Sequence, residues 1–165
     1  MTLARICRHL CFPDWQLRRR LPKRALRAIT KAIRNSERQH RGEIRFAVEA
    51  SMPLGRLLRG QSARARALEL FSDLQAWDTE ENNGVLIYVL MAEHVVEIVA
   101  DRGIDRQVGP ERWKAICQEM ETEFRAGHLE SGCLAGIHAV GRELERYYKP
   151  PDLSGNELPN KPQLL

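Results

Sequence analysis

The 165-residue chain has no apolar run approaching the ~18–20 residues that a membrane-crossing helix requires. Its first twelve residues are broken by Arg5, Arg8 and His9, and Pro13-Asp14-Trp15 follows where a small-residue cleavage site would stand. No signal peptide is read there, and a cytoplasmic location is the expectation. The cysteines are few and lack metal spacing. Cys7 and Cys11 stand four apart around His9, but no second pair matches them, which disfavours zinc. Cys117 and Cys133 fall on the apolar faces of predicted helices, as reduced packing residues would. No P-loop, cysteine loop, Ser-His-Asp motif or linear helix-loop-helix calcium loop is present. Aromatic side chains make up 6% of the chain, and none interrupts the stretch from Arg20 to Arg38. Surfaces that stack nucleic-acid bases interleave aromatic and basic residues, so nucleic acid ranks below a membrane as a partner of this stretch.

Carboxylates are scarce at the amino-terminal end. Residues 1–41 carry twelve Lys or Arg against Asp14 and Glu37, a balance of +10, so the other 124 residues carry −6 within an overall +4. With 43% hydrophobic and 29% charged residues, the chain can still bury the core of one globular domain. Pro22 suits the first turn of a helix predicted over 22–40, in which Leu26, Ile29 and Ile33 recur at helical spacing. Arg20, Arg24, Arg27, Lys31, Arg34 and Arg38 fall on the flank away from that stripe. This basic ridge reads either as a solvated face or as a contact for anions: an anionic membrane surface, membrane proteins or an acidic partner. Upstream, Leu3 to Trp15 reads as a short amphipathic helix ending before Pro13, compatible with interfacial membrane contact and equally with packing on the domain.

Residues 43–50 alternate strictly, with Ile44, Phe46 and Val48 on one face of a strand. Arg45 and Glu49 point the other way, onto a partly covered face or into a pairing with Glu97. Pro53, Gly55 and Gly60 mark 51–61 as a loop with a short helical turn. Ser62 is a suitable cap for a helix to about Ala76, with Ala67, Leu70, Phe71 and Leu74 facing inward. Val85 to Leu90 and Val95 to Ala100, both rich in β-branched residues, flank a four-residue connection and read as a β-hairpin. Pro110 opens a helix with Trp113, Ile116, Cys117, Met120 and Phe124 on its core face, and Gly127 ends it. A last helix is predicted from Leu129 to Tyr148. From Pro150 onward four prolines describe a tail expected to be disordered or to lie on a neighbour. The resulting division is a basic segment 1–21, a globular domain 22–148 and a proline-rich tail 149–165.

A hairpin sets the residues before its first strand beside those after its second, so Asp78 to Asn83 meet Asp101 to Asp105. The strand-helix-strand order implies a parallel crossover, which brings Glu43 to the same end of the sheet. Asp78, Glu80, Glu81, Asn82, Asn83, Asp101, Asp105 and Glu43 are therefore the candidate ligands of one site. This set offers oxygen without paired His or Cys, the chemistry of calcium or magnesium. Gly84 and Gly103 give the backbone freedom to turn carbonyls inward. The competing reading is that turns at strand ends simply favour Asp and Glu.

The order and spacing of several pieces resemble the TPM-domain family. They are Asn83-Gly84-Val85-Leu86-Ile87-Tyr88 after acidic residues, Asp101-Arg102-Gly103-Ile104-Asp105, Val108-Gly109 with Trp113, and Phe124-Arg125-Ala126-Gly127 with Gly132 and Gly136. The likeness runs from about Gly42 to Tyr148. It is to the short, soluble members that contain Gly42-Glu43-Ile44-Arg45 and lack the signal peptide and carboxy-terminal transmembrane helix of longer ones. The resemblance implies an α/β fold, a three-layer α/β/α sandwich with a small mixed β-sheet containing a central hairpin. It also implies ion binding at this end of the sheet, and an acid phosphatase activity has been attributed to plant members. Three functional readings follow. The first is a divalent-ion-binding accessory or interaction domain linked to membrane-protein maintenance. The second is a metal-dependent acid phosphatase, a hydrolase of small phosphate esters, for which no catalytic residue is assigned. The third is a cytoplasmic adaptor, peripheral to an anionic membrane through the basic first helix.

Overall fold

The computed structural model describes residues 3–149 and 159–165. In chain order the elements are α1 Leu3–Leu10, α2 Asp14–Arg20, α3 Lys23–Ser36, β1 Glu43–Glu49, α4 Leu54–Leu58, α5 Ala63–Asp73, β2 Gly84–Leu90, β3 Val95–Ala100, α6 Arg102–Val108, α7 Pro110–Arg125, α8 Leu129–Tyr147 and β4 Gln163–Leu164. The strands form one mixed sheet in the order β3-β2-β1-β4. β1 and β2 are parallel, with Glu43 opposite Gly84, and β2 and β3 make the antiparallel hairpin, with Val85 opposite Ala100.

The period of two along each strand divides the core into the two halves of an α/β/α sandwich. Ile44, Phe46, Val48, Val85, Ile87, Val89 and Ile98 pack on α3, α7 and α8. Ala47, Leu86, Tyr88, Leu90 and Val99 pack on α4 and α5. Burying each Ile or Leu of this kind contributes about 1.5–3 kcal/mol. Of the stripe read for α7, Trp113, Ile116, Met120 and Phe124 are buried and Cys117 is partly buried against the core. Ser62 caps α5, accepting the Ala65 amide at 3.1 Å. Phe12, Leu17 and Leu21 join the larger core, which ties the basic segment 1–21 to the domain.

Several expectations change. The helix predicted over 22–40 stops at Ser36, and the Glu37 side chain turns back to accept the Ile44 amide at 3.0 Å. β1 is buried on both faces, and Glu97 is not the partner of its charges. Glu49 is held by the Tyr88 hydroxyl at 2.6 Å and by Arg66 of α5 at 3.2 Å, while Arg45 donates to the Pro159 carbonyl at 2.5 Å. Glu97 instead pairs with Arg64. The residues after β3, for which no element is predicted, enter α6 at once. The end of the proline-rich tail, expected to be disordered or to lie on a neighbour, joins the sheet: β4 pairs in parallel with β1 and the Leu165 amide reaches the Val48 carbonyl at 3.0 Å. β1 would otherwise present an unpaired edge, and β4 covers part of it. Residues 150–158 of that tail lie outside the described residues. Among the described residues no helix is long and apolar enough to cross a membrane.

Candidate functional site

The site forms where β2 begins and β3 ends. The Asp101 amide donates to the Gly84 carbonyl at 2.8 Å, closing the hairpin. Asn82 adopts φ 54°, a left-handed conformation that its short polar side chain tolerates. Its carbonyl then accepts the Gly103 and Ile104 amides at 3.0 and 3.3 Å, latching the loop before β2 to the first turn of α6. Gly103 is required by this close approach. A Cβ there would stand 2.5 Å from the Asn82 carbonyl oxygen and 2.8 Å from both the Glu81 carbonyl oxygen and the Tyr148 hydroxyl.

Parallel pairing of β1 with β2 brings in Arg41. Its carbonyl accepts from the Asn83 amide group at 3.1 Å, and its guanidinium pairs with Glu81 at 2.6 Å. The Arg41 amide meets the Tyr148 carbonyl, so the end of α8 closes the far side. Burial, with the carboxylates of Glu81 and Asp101 nearby, holds the Tyr148 hydroxyl above its ordinary pKa, while Arg41 opposes the shift. Asp101 is 7% exposed. Its Oδ1 accepts the Arg102 amide at 2.7 Å as the cap of α6, and its buried Oδ2 has no hydrogen-bond partner among the described residues.

Glu81, Asn82, Asn83 and Asp101 therefore belong to one cluster, and the other four candidates turn elsewhere. Asp78 and Glu80 are exposed on the loop. Asp105 accepts the Trp113 indole N–H at 3.0 Å, which aims it at α7. Glu43 sits in register with Gly84, but its carboxyl bonds to that of Glu37. Among the described residues no three His, Cys, Asp or Glu side chains gather into a metal cage. What the cluster offers is one buried carboxylate oxygen of Asp101, the Glu81 carboxylate, held by Arg41 and by the Asn83 side chain at 3.4 Å, and the Glu81 carbonyl beside Gly103. This set suits a hard cation better than a transition metal. Arg41 and Tyr148 are the members that sequence reasoning missed. The expected parallel crossover puts the residues just before β1, Arg41 among them, at the same end of the sheet as Asn83, whereas nothing in the sequence signals Tyr148.

A second carboxylate pair, Glu37 with Glu43, lies under the chain end. Burial and the neighbouring Glu43 push Glu37 up to about 9. The Asn160 side chain donates to Glu37, which ties the tail to this pair.

Four residues of the basic ridge border two hollows. Arg20 lies over the Phe12 ring at 5.4 Å and Arg24 reaches Glu130 at 3.9 Å, and both border a hollow of about 620 Å³ with Phe124 and His128. Arg27 and Arg34, with Lys23 and Lys161, line a groove of about 750 Å³ beside β4. Lys31 is exposed, and Arg38 donates to Asn35 within its own segment.

The family model of the TPM domain matches residues 20–143, most of the chain. Among solved structures, the NMR structure of the BA42 protein from the psychrophilic bacterium Bizionia argentinensis is similar, with 29% identity and a TM-score of 0.75 over 86% of this chain and 93% of that one. The NMR structure of the N-terminal domain of a protein from P. gingivalis shares the fold at 16% identity, with a TM-score of 0.65 over 82% of this chain and 83% of that one. No curated protein matches the chain.

Proposed function

Because the chain belongs to the TPM-domain family, we propose that it is a divalent-ion-binding accessory domain whose ion sits at the Asp101 end of the sheet. The observation that carries this reading is the buried Asp101 Oδ2, which has no hydrogen-bond partner among the described residues. A buried carboxylate oxygen without a donor costs about 1–3 kcal/mol or more, which a bound cation would offset. The Glu81 carbonyl beside Gly103 and the Glu81 carboxylate complete the donor set, while the Asn82 carbonyl stays engaged by the Gly103 and Ile104 amides. Calcium suits it better than magnesium, since calcium accepts irregular carbonyl-rich coordination. With so few charges the affinity is weak, a Kd on the order of 10⁻⁴–10⁻³ M. Arg41 sets the resting position of Glu81, and ion binding draws that carboxylate away from the guanidinium.

Calorimetric titration of chelator-treated protein with calcium tests the reading. Saturable heat is expected for the native chain and for Asp78→Asn, and none for Asp101→Asn. Equal heats in native protein and Asp101→Asn would place any ion elsewhere and end the proposal.

A further inference from the structure

α1 is an amphipathic helix whose polar side faces the protein. Arg5 and His9, one turn apart, are its attachment. Arg5 donates to Glu93 at 2.9 Å and to the Gln61 carbonyl at 2.8 Å. The buried His9 accepts the Met52 amide at Nδ1 and meets Glu93 at 2.7 Å through Nε2. On the opposite side, at positions i, i+4 and i+7, stand Leu3, Cys7 and Leu10. Leu3 is 77% exposed, Leu10 66% and Trp15 in α2 60%. α4 lies between Met52 and Gln61, the two points that α1 holds, and adds Leu54 and Leu58 at 47% and 57% exposure. Scattered exposed apolar residues need no explanation, but a helix turned with its apolar stripe outward does.

The charges around this stripe say what covers it. From Leu3 to Ser36 the only carboxylate is Asp14, while Arg8, Arg18, Arg19 and Arg20 are exposed. At the hairpin turn beneath, burial together with Arg20, Arg125 and Arg8 holds His94 below its ordinary pKa, a sign of the positive field there. Two copies meeting through this face would set these arginines against each other. An anionic lipid surface pairs with them while taking up the leucines and the indole, which is how interfacial helices bind.

The geometry points to the face made by α1, α2 and α4 as a membrane-docking surface that inserts Leu3, Leu10 and Trp15 among anionic lipid headgroups. The inference does not depend on the ion site. Glu93, which anchors α1, is in the hairpin turn at the opposite end of the sheet from Asp101, so a docked molecule presents its ion site away from the lipid.

Flotation of the full chain with vesicles tests this, comparing phosphatidylcholine alone with phosphatidylcholine containing phosphatidylglycerol. Binding is expected with phosphatidylglycerol, reduced about tenfold or more in Leu3→Asp/Leu10→Asp and weakened by high salt. The substituted leucines are exposed, so that variant should match the native melting temperature. Retention of binding in this variant with loss in Lys31→Glu/Arg38→Glu would assign the contact to the α3 ridge and overturn the proposal. Absence of vesicle binding would also overturn it, including where light scattering shows a dimer that the leucine variant dissociates, for then a second copy covers the stripe.

Discussion

Glu37 holds a proton at neutral pH because its carboxyl is partly buried beside that of Glu43, which pushes it up to about 9 from an ordinary 4.5. Between those two values the folded chain binds more protons here than the unfolded chain does. Its contribution to stability is therefore fully present below about 4.5 and is lost as the pH rises through about 9. His40 works from the other side. Buried beneath α8, it is lowered to about 4 from 6.5, so its contribution is present above 6.5 and is lost as the pH falls through about 4. Substituting Glu37→Gln keeps an acceptor for the Ile44 amide and removes the ionisable group. The melting temperature of that variant is expected to lose much of the native decline between pH 5 and 9. An unchanged profile would mean that the carboxyl pair is not what sets it. None of this was legible in the sequence, where Glu37 is a lone acid in a basic helix and nothing local says that its side chain turns back to the next strand.

The elements that periodicity announces are the long ones. α3, α5, α7 and α8 carry apolar stripes at helical spacing, β1 alternates apolar and polar residues, and β2 and β3 carry β-branched runs, so their existence was readable. α6 was not, since seven residues with one buried position, Ile104, make no pattern. β4 was not, because two residues beside Pro162 have no strand signature of their own. Its position comes from the tertiary ties of Pro159 to Arg45 and of Asn160 to Glu37. How closely helices approach is also an element-scale property. Where α3 crosses α8, a Cβ on Gly141 would stand 2.1 Å from Ser36 Oγ, and that hydroxyl is engaged with His40 at 2.8 Å. Gly141→Ala should therefore destabilise the chain by about 1–3 kcal/mol through overpacking, read as a lower denaturant midpoint at constant slope. An unchanged midpoint would show that Ser36 can turn aside freely.

Over the whole molecule, the sheet has two poles. One carries the Asn82, Asp101 and Gly103 cluster and the other the hairpin turn with α1 fastened to it. Hairpin and crossover topology made the first pole legible, because they dictate which backbone segments are neighbours. They do not dictate where side chains point, so Asp105 turns to Trp113 and Glu43 to Glu37 while Arg41 and Tyr148 enter unannounced. The second pole was legible as an amphipathic segment but not as one turned apolar side out, since the attachment rests on Glu93, Met52 and Gln61, all distant in sequence. The central claim, an ion at the first pole, is tested most directly by amide correlation spectra recorded during a calcium titration. Saturable shifts confined to Arg41, Glu81, Asn82, Asn83, Asp101, Arg102, Gly103 and Tyr148 are predicted. Their absence at millimolar calcium, or shifts centred on the exposed acids of α7, would contradict it.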